Sequence, residues 1–305
     1  MAGNLQNPFM YASEGDYTRN TRGIFYGGYT GSVTAVTNLV SVNGVVSADI
    51  TGVGSARRDF PGITYGFDRG IFRGGSGPRN SPIYGHTNLV SANGVVSADV
   101  GAVGTAKASQ HGMPWGEDKA IFRGGFTGSG YTSSSNLVSN NGVIASDVTG
   151  VGTATGGAGG VGYDGDKGIG FGGIGTGSAV NKSNLVSNNG VVAADVANSG
   201  ATARYSMASS TYGGNLGLFA YGSGPVSTKN LVSVNGVIGD DVSGVGTAVS
   251  GGRGCGFDEN RGVIAFGSGY TNISHIVSVN GVISADITGV GTARTESGAT
   301  SFSQS

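Results

Sequence analysis

Six aspartates recur at equivalent places along the chain: Asp49, Asp99, Asp147, Asp195, Asp241 and Asp286. A carboxylate can ligate a metal, pair with a cation, or accept backbone N–H groups at a turn. The basic residue of a downstream Thr-Ala-Arg string is the natural ion-pair partner. It is replaced at Thr155 and Val249 while the aspartates persist. A turn or cap role therefore fits best, with ion pairing and metal binding behind it. His86, His111 and His275 lie far apart with no metal-ligand spacing, and are expected at surface or turn positions. Cys255 stands alone, so no internal disulfide can form, and it reads as a buried, inert thiol. Glycine doublets at Gly27-Gly28, Gly74-Gly75, Gly124-Gly125 and Gly172-Gly173 open no helix and precede no Gly-Lys-Ser/Thr. They read as close backbone packing, not phosphate loops. No nucleophile–base pair is visible. The expectation is a non-enzymatic protein with no cofactor and no metal.

The elements that carry these residues repeat six times. The marker is an apolar run, Asn-Gly, and a second apolar run, as in TNLVSVNGVVSADI, SNLVSNNGVVAADV and SHIVSVNGVISADI. The marker glycines are Gly44, Gly94, Gly142, Gly190, Gly236 and Gly281, spaced 45–50 residues apart. Periods of this length belong to solenoids or propellers. Asn-Gly between β-branched runs predicts a hairpin with a type I′ turn, which needs positive φ at both central residues. NLVS and GVVSAD would then pair. A second hairpin, GITYG–FDR–GIFRGG over 62–75, supplies two more strands per unit. Val45-Val46 and Leu39-Val40 place apolar side chains on both faces of a strand, so both faces are expected to be covered by neighbours.

Composition agrees. There are 62 glycines in 305 residues, and no glycine-free stretch exceeds 12 residues, about the length of one average helix. Little of the chain can be helical. The 37% hydrophobic content and net charge of −1 argue against disorder. The balance of 17 basic and 18 acidic residues leaves no electrostatic footprint for nucleic acid and no polybasic membrane patch. No long apolar run or secretory leader is visible, so no membrane insertion is expected.

The two ends of the sequence complement each other. Eight residues beyond each Thr-Ala-Arg position stands an aromatic: Tyr65, Trp115, Tyr163, Tyr212, Phe257 and Phe302. These rings are expected to pack between neighbouring units, with a ligand channel as the other reading. Phe302 lies in a last strand whose partner is missing after it, while RGIFYGG (22–28) opens the chain with no fitting strand before it. The final strand should pair with 22–28 and close a ring, removing the open edges. The expected fold is all-β: a six-bladed β-propeller over 17–305, four short antiparallel strands per blade, the closing blade shared between both termini, preceded by an arm at 1–16.

The glycine doublet ending the second strand, the Arg-containing approach to the first and the composite closing unit together resemble the kelch family of propellers. The tyrosine–tryptophan pair of kelch outer strands is absent, and NLVSxNGVV stands there instead. The string NLVSxNGVV–D–GVGTAR, with DKAIF before a glycine doublet, more closely resembles kelch-like repeat proteins of marine bacteriophages. The resemblance covers about 290 of the 305 residues. It implies a structural virion component, in the tail, its fibres or the head decoration, made in the host cytoplasm. No catalytic motif comes with it.

The loop between second and third strands varies most, and insertions on one face of a repeat array are where binding usually resides. Tyr29, Arg58, Phe60, Pro78, Arg79, Tyr84, His86, Phe126, Tyr131 and Tyr270 are the candidates there for a partner, a host receptor or a glycan. Pro8, Phe9, Met10 and Tyr11 are candidate anchors of a tethering arm. The expected partners are other virion proteins or a host surface glycan or receptor.

Overall fold

A computed structural model describes residues 21–101 and 103–303. It is all-β, and among the described residues the one helical element is a three-residue 3-10 turn at Pro78–Asn80. The strands form six small antiparallel sheets. Each first strand, such as Gly62–Tyr65 or Arg253–Phe257, sits at one edge of its sheet. The second strand (Arg69–Arg73, Arg261–Ala265) lies next to it, and the third (Thr87–Val90, Ile273–Val277) beyond.

The expected pairing of the two chain ends is present. Arg22–Tyr29 lies between Val33–Val40 and Gly298–Phe302, with register Arg22↔Phe302 through Tyr26↔Gly298. Each first strand also touches those of the sheets before and after it, and Gly298–Phe302 touches both Arg253–Phe257 and Gly62–Tyr65.

Two circuits of backbone hydrogen bonds complete this cyclic order. In one, Asp59 N–H donates to Glu296, Glu296 to Gly251, Gly251 to Ser206, Ser206 to Gly157, Gly157 to Ser109, and Ser109 back to Asp59, all at 2.7–2.8 Å. All six residues hold φ between 52° and 69°. At the other end of the first strands, Gly66, Gly116, Asp164, Gly213, Asp258 and Ser303 each donate to the carbonyl of the next sheet's turn, at 2.7–3.1 Å. The second circuit takes in both ends of the described chain, through Thr21 and Ser303.

The core lies between neighbouring sheets in six clusters, one per interface. The eight-step aromatics pack there as expected. Phe302, Tyr65 and Tyr163 lie against Gly94, Gly142 and Gly236 of the following unit's Asn-Gly turn, where a Cβ would stand only 2.5–2.8 Å from the ring. The marker glycine therefore serves two purposes: a positive φ and a flat seat for an aromatic.

Two expectations about the outer strands need correction. The Asn-Gly turn is not type I′, because Gly44 has φ +77° while Asn43 does not adopt positive φ. Gly44 N–H donates to the Ser41 carbonyl, and Ser41 N–H to that of Val45. Nor does GVVSAD form a continuous fourth strand. It makes one bridge, Val40↔Val46, after which side chains replace the ladder: Ser47 Oγ accepts from Leu39 N–H and Asn38 Nδ2 donates to the Ser47 carbonyl. Pairing resumes one residue after the aspartate, as a two-residue strand in three sheets (Val196–Ala197, Val242–Ser243, Ile287–Thr288) and a single bridge in the other three.

Candidate functional site

The six aspartates staple adjacent repeats. Asp99 accepts from the backbone N–H of Ser55 at 3.1 Å and its hydroxyl at 2.6 Å, and from Nδ2 of Asn88 at 2.9 Å. Threonines 105, 153, 202 and 247 do the same for Asp147, Asp195, Asp241 and Asp286. Thr292 binds Asp49 and so joins the last repeat to the first. The cap reading is realised. Cations stand close as well: Lys107 Nζ lies 3.1 Å from Asp147 and Lys182 Nζ 3.2 Å from Asp195. Burial acts to raise the Asp49 and Asp99 carboxyl pKa values. Hydrogen bonds from Thr292 or Ser55 and from Asn38 or Asn88 outweigh it and hold both below the ordinary carboxylate range.

The asparagine of each Asn-Leu-Val run is the hub of this seam, a role the sequence reading missed. Its amide donates to the aspartate eleven residues on, and at Asn38, Asn136 and Asn230 its oxygen accepts from a buried cation, as Asn38 does from Arg294 at 2.5 Å. Asn136 accepts from both Arg73 and Lys107. Burial lowers the Arg73 and Arg294 pKa values to about 10, which leaves both charged at neutral pH. His275 occupies the hub in the sixth repeat, buried, with Nε2 2.8 Å from Asp286. The expectation of a surface histidine fails there and at His111, which is fully buried and pushed down to about 3 by burial and by Arg123. Aligning SHIV on SNLV gives the signal for His275.

The ten loop-face residues of the sequence reading do not converge. They form three local groups. Tyr29 and Tyr270 lie 6.1 Å apart, with the Arg58 guanidinium 4.3 Å above Tyr29. Tyr84 and His86 are 4.8 Å apart, and Phe126 and Tyr131 5.5 Å. Arg79 is exposed at the 3-10 turn. Phe60 is a correction: it is fully buried, edge-on to Tyr26 and Phe72, with Arg57 4.5 Å over its ring. It fills the space left by Gly27 and Gly75 and cannot meet a partner. Pro8, Phe9, Met10 and Tyr11 lie outside the described residues.

A second surface emerges that the sequence reading had placed in the core. Val45, Val95, Val143, Val191, Val237 and Val282 are 56–66% exposed, while the residue after each is buried, or partly buried in the case of Val192. Ile50 and its equivalents one residue past each aspartate are also exposed. The expectation of two covered faces holds at Leu39-Val40, whose side chains pack in different clusters, and fails at Val45 and its equivalents for a local reason. Only one of two adjacent strand residues can face the neighbouring sheet, and the shortened fourth strand places nothing over the other. Every sheet carries this set at its outer edge.

Between the first strands lies a cavity of about 210 Å³, lined by residues from all six sheets. Cys255 borders it. Its thiol is pushed up to about 12 by burial, which suits the inert role expected. Among the described residues no three His, Cys, Asp or Glu side chains form a metal-binding group, and no helix is long and apolar enough to cross a membrane. A scan against protein-family models finds no match, and neither does a search of curated proteins.

Proposed function

We propose that this chain is a non-enzymatic structural protein of a bacteriophage particle, in which the six sheets are blades of a closed kelch-like β-propeller on which other virion proteins dock. The two hydrogen-bond circuits and the cyclic order of the first strands support the propeller reading. The single observation that carries docking is the outer belt of valines. An exposed β-branched residue repeated at every sheet edge is a self-consistent apolar surface, and such surfaces mark interaction sites. The resemblance in NLVSxNGVV–D–GVGTAR supports the phage assignment, with a place in the tail, fibre or head decoration.

Mass spectrometry of purified particles tests the assignment: the chain should be a stoichiometric component. Changing Val45, Val143 and Val237 together to Ser should leave folding intact and reduce incorporation. Absence of the chain from particles would overturn the reading.

The Tyr29–Tyr270 pair with Arg58 favours a second reading, attachment to a host receptor or glycan through the loop face. Aromatic faces backed by a cation suit that chemistry. A host-cell binding assay with Tyr29→Ala and Tyr270→Ala decides it, and unchanged binding would set it aside.

A further inference from the structure

We propose that the seam between the closing sheet and the sheet after it is an acid-sensitive latch, in which Arg57 and His86 compete for the one carboxylate of Asp99. Ser55, which follows the closing sheet in the chain, binds Asp99 at the outer edge of the sheet that holds Gly62–Tyr65. Loosening this seam opens the ring beside the sheet that both chain ends share. The proposal rests on neither the virion assignment nor the valine belt.

Comparison of the six seams isolates this one. Asn38 and Asn230 accept from Arg294 and Arg204. Asn88 is the one hub asparagine among the described residues whose oxygen is buried with no partner, and the fully buried Arg57 guanidinium makes no hydrogen bond at any of its three nitrogens. The residue two places before the hub accounts for the difference. It is Val36, Ser134, Thr228 or Ile273 in four repeats, Lys182 in one and His86 here. A base at that place reaches the aspartate: Lys182 Nζ lies 3.2 Å from Asp195, and His86 Nε2 3.6 Å from Asp99 Oδ1. Beside Lys182 the Thr-Ala-Arg cation is replaced by Thr155, and beside His275 by Val249. At Asp99 alone both positions are basic, and Arg57 Nη1 lies 3.7 Å from the same oxygen. Tyr26 and Phe60 hold the guanidinium in place, their ring centres 5.2 and 4.5 Å from it.

The charged and titratable groups that face the imidazole are Arg57, Asp99 and Tyr84, whose ring packs 4.8 Å from it. Burial and Arg57 both disfavour a proton on His86, and Asp99 favours one; the first two prevail and hold the pKa below its ordinary value. The folded ring therefore stays neutral while the unfolded one, near about 6.5, takes up a proton. The contribution of His86 is complete above about pH 6.5 and is lost as pH falls below it, by at most about tenfold in the opening equilibrium per pH unit, the limit for one proton.

The full chain is followed by NMR of the histidine Cε1–H groups and by hydrogen exchange between about pH 8 and pH 5, a window that brackets the unfolded histidine value. His86, assigned by the loss of its signal in His86→Asn, should titrate below its ordinary value, and Arg57→Met should raise its midpoint. The Ser55 amide, which donates to Asp99, should lose at least about threefold more protection across that window than the equivalent amides of Thr202 and Thr292, each exchange rate being taken relative to that of the unfolded chain. His86→Asn should erase the difference. Thermal unfolding at neutral pH confirms that each variant folds; should Arg57→Met fail to, His86→Asn, at a partly exposed position, carries the test. A His86 midpoint at or above the ordinary value, equal losses at all three amides, or a Ser55 loss that persists in His86→Asn would overturn the proposal.

Discussion

The inner and outer edges of each sheet are built by different rules. First strands run four or five residues, and Gly298–Phe302 is buried throughout. Their neighbours across the interface touch them, and backbone circuits bind both of their ends. Fourth strands reach two residues at most, expose valine, and are held by side chains of Asp, Asn and Ser in place of a ladder. The inner edge gains its stability from packing, which fixes every residue there. The outer edge is pinned at a few polar points, so the residues between them remain free to serve a partner.

Breaking the inner edge should cost most. Phe302 is buried to 1% against Gly94, and Phe302→Ala should remove about 3–5 kcal/mol by chemical denaturation. A cost near that of a surface change would contradict the packing described. The staple comes next. Asp49→Ala leaves Thr292 and Asn38 without their acceptor and should cost about 2 kcal/mol, the range for hydrogen bonds to a charged group.

Acid should act on the same points. The folded pKa values of Asp49, Asp99 and Asp241 are depressed. Their contribution is complete above the unfolded carboxylate value of about 3.9 and is lost as pH falls through the lower folded values. Unfolding free energy should therefore be level above about pH 4 with respect to these groups and decline below it, and Asp49→Asn should flatten that decline. An unaltered slope would mean the carboxylate is not held as described. The smallest effect belongs to the belt: Val45→Ser should change stability by no more than about 0.5 kcal/mol while Val46→Ala, one residue on and buried, should cost several times more.

Much of the inner edge was legible in the sequence, because its signals are apolar and periodic. The aromatic at every eighth position past Thr-Ala-Arg located all six first strands, and the unmatched strand at each end located the closing pair. The outer edge was not, because Ser47 and Asn38 hydrogen bonds took the place of strand pairing, and a hydrophobicity pattern does not register that exchange. Val45 and Val46 are identical in type, and only the chain's exit from the turn decides which is buried. Phe60 was misplaced for a related reason: its loop position suggested exposure, and the glycines that seat it, Gly27 and Gly75, come from other segments of the chain. The circuits use main-chain groups alone, so no residue type announces them.

Closure is tested most directly by hydrogen exchange across the composite sheet. Amides of 298–302 that donate to 22–26 should exchange as slowly as the paired amides of 208–212, and the N–H groups of Asp59, Ser109 and Glu296 should share that protection. Rapid exchange at 298–302 and 22–26, with the other sheets still protected, would mean the ends lie apart and the ring is open.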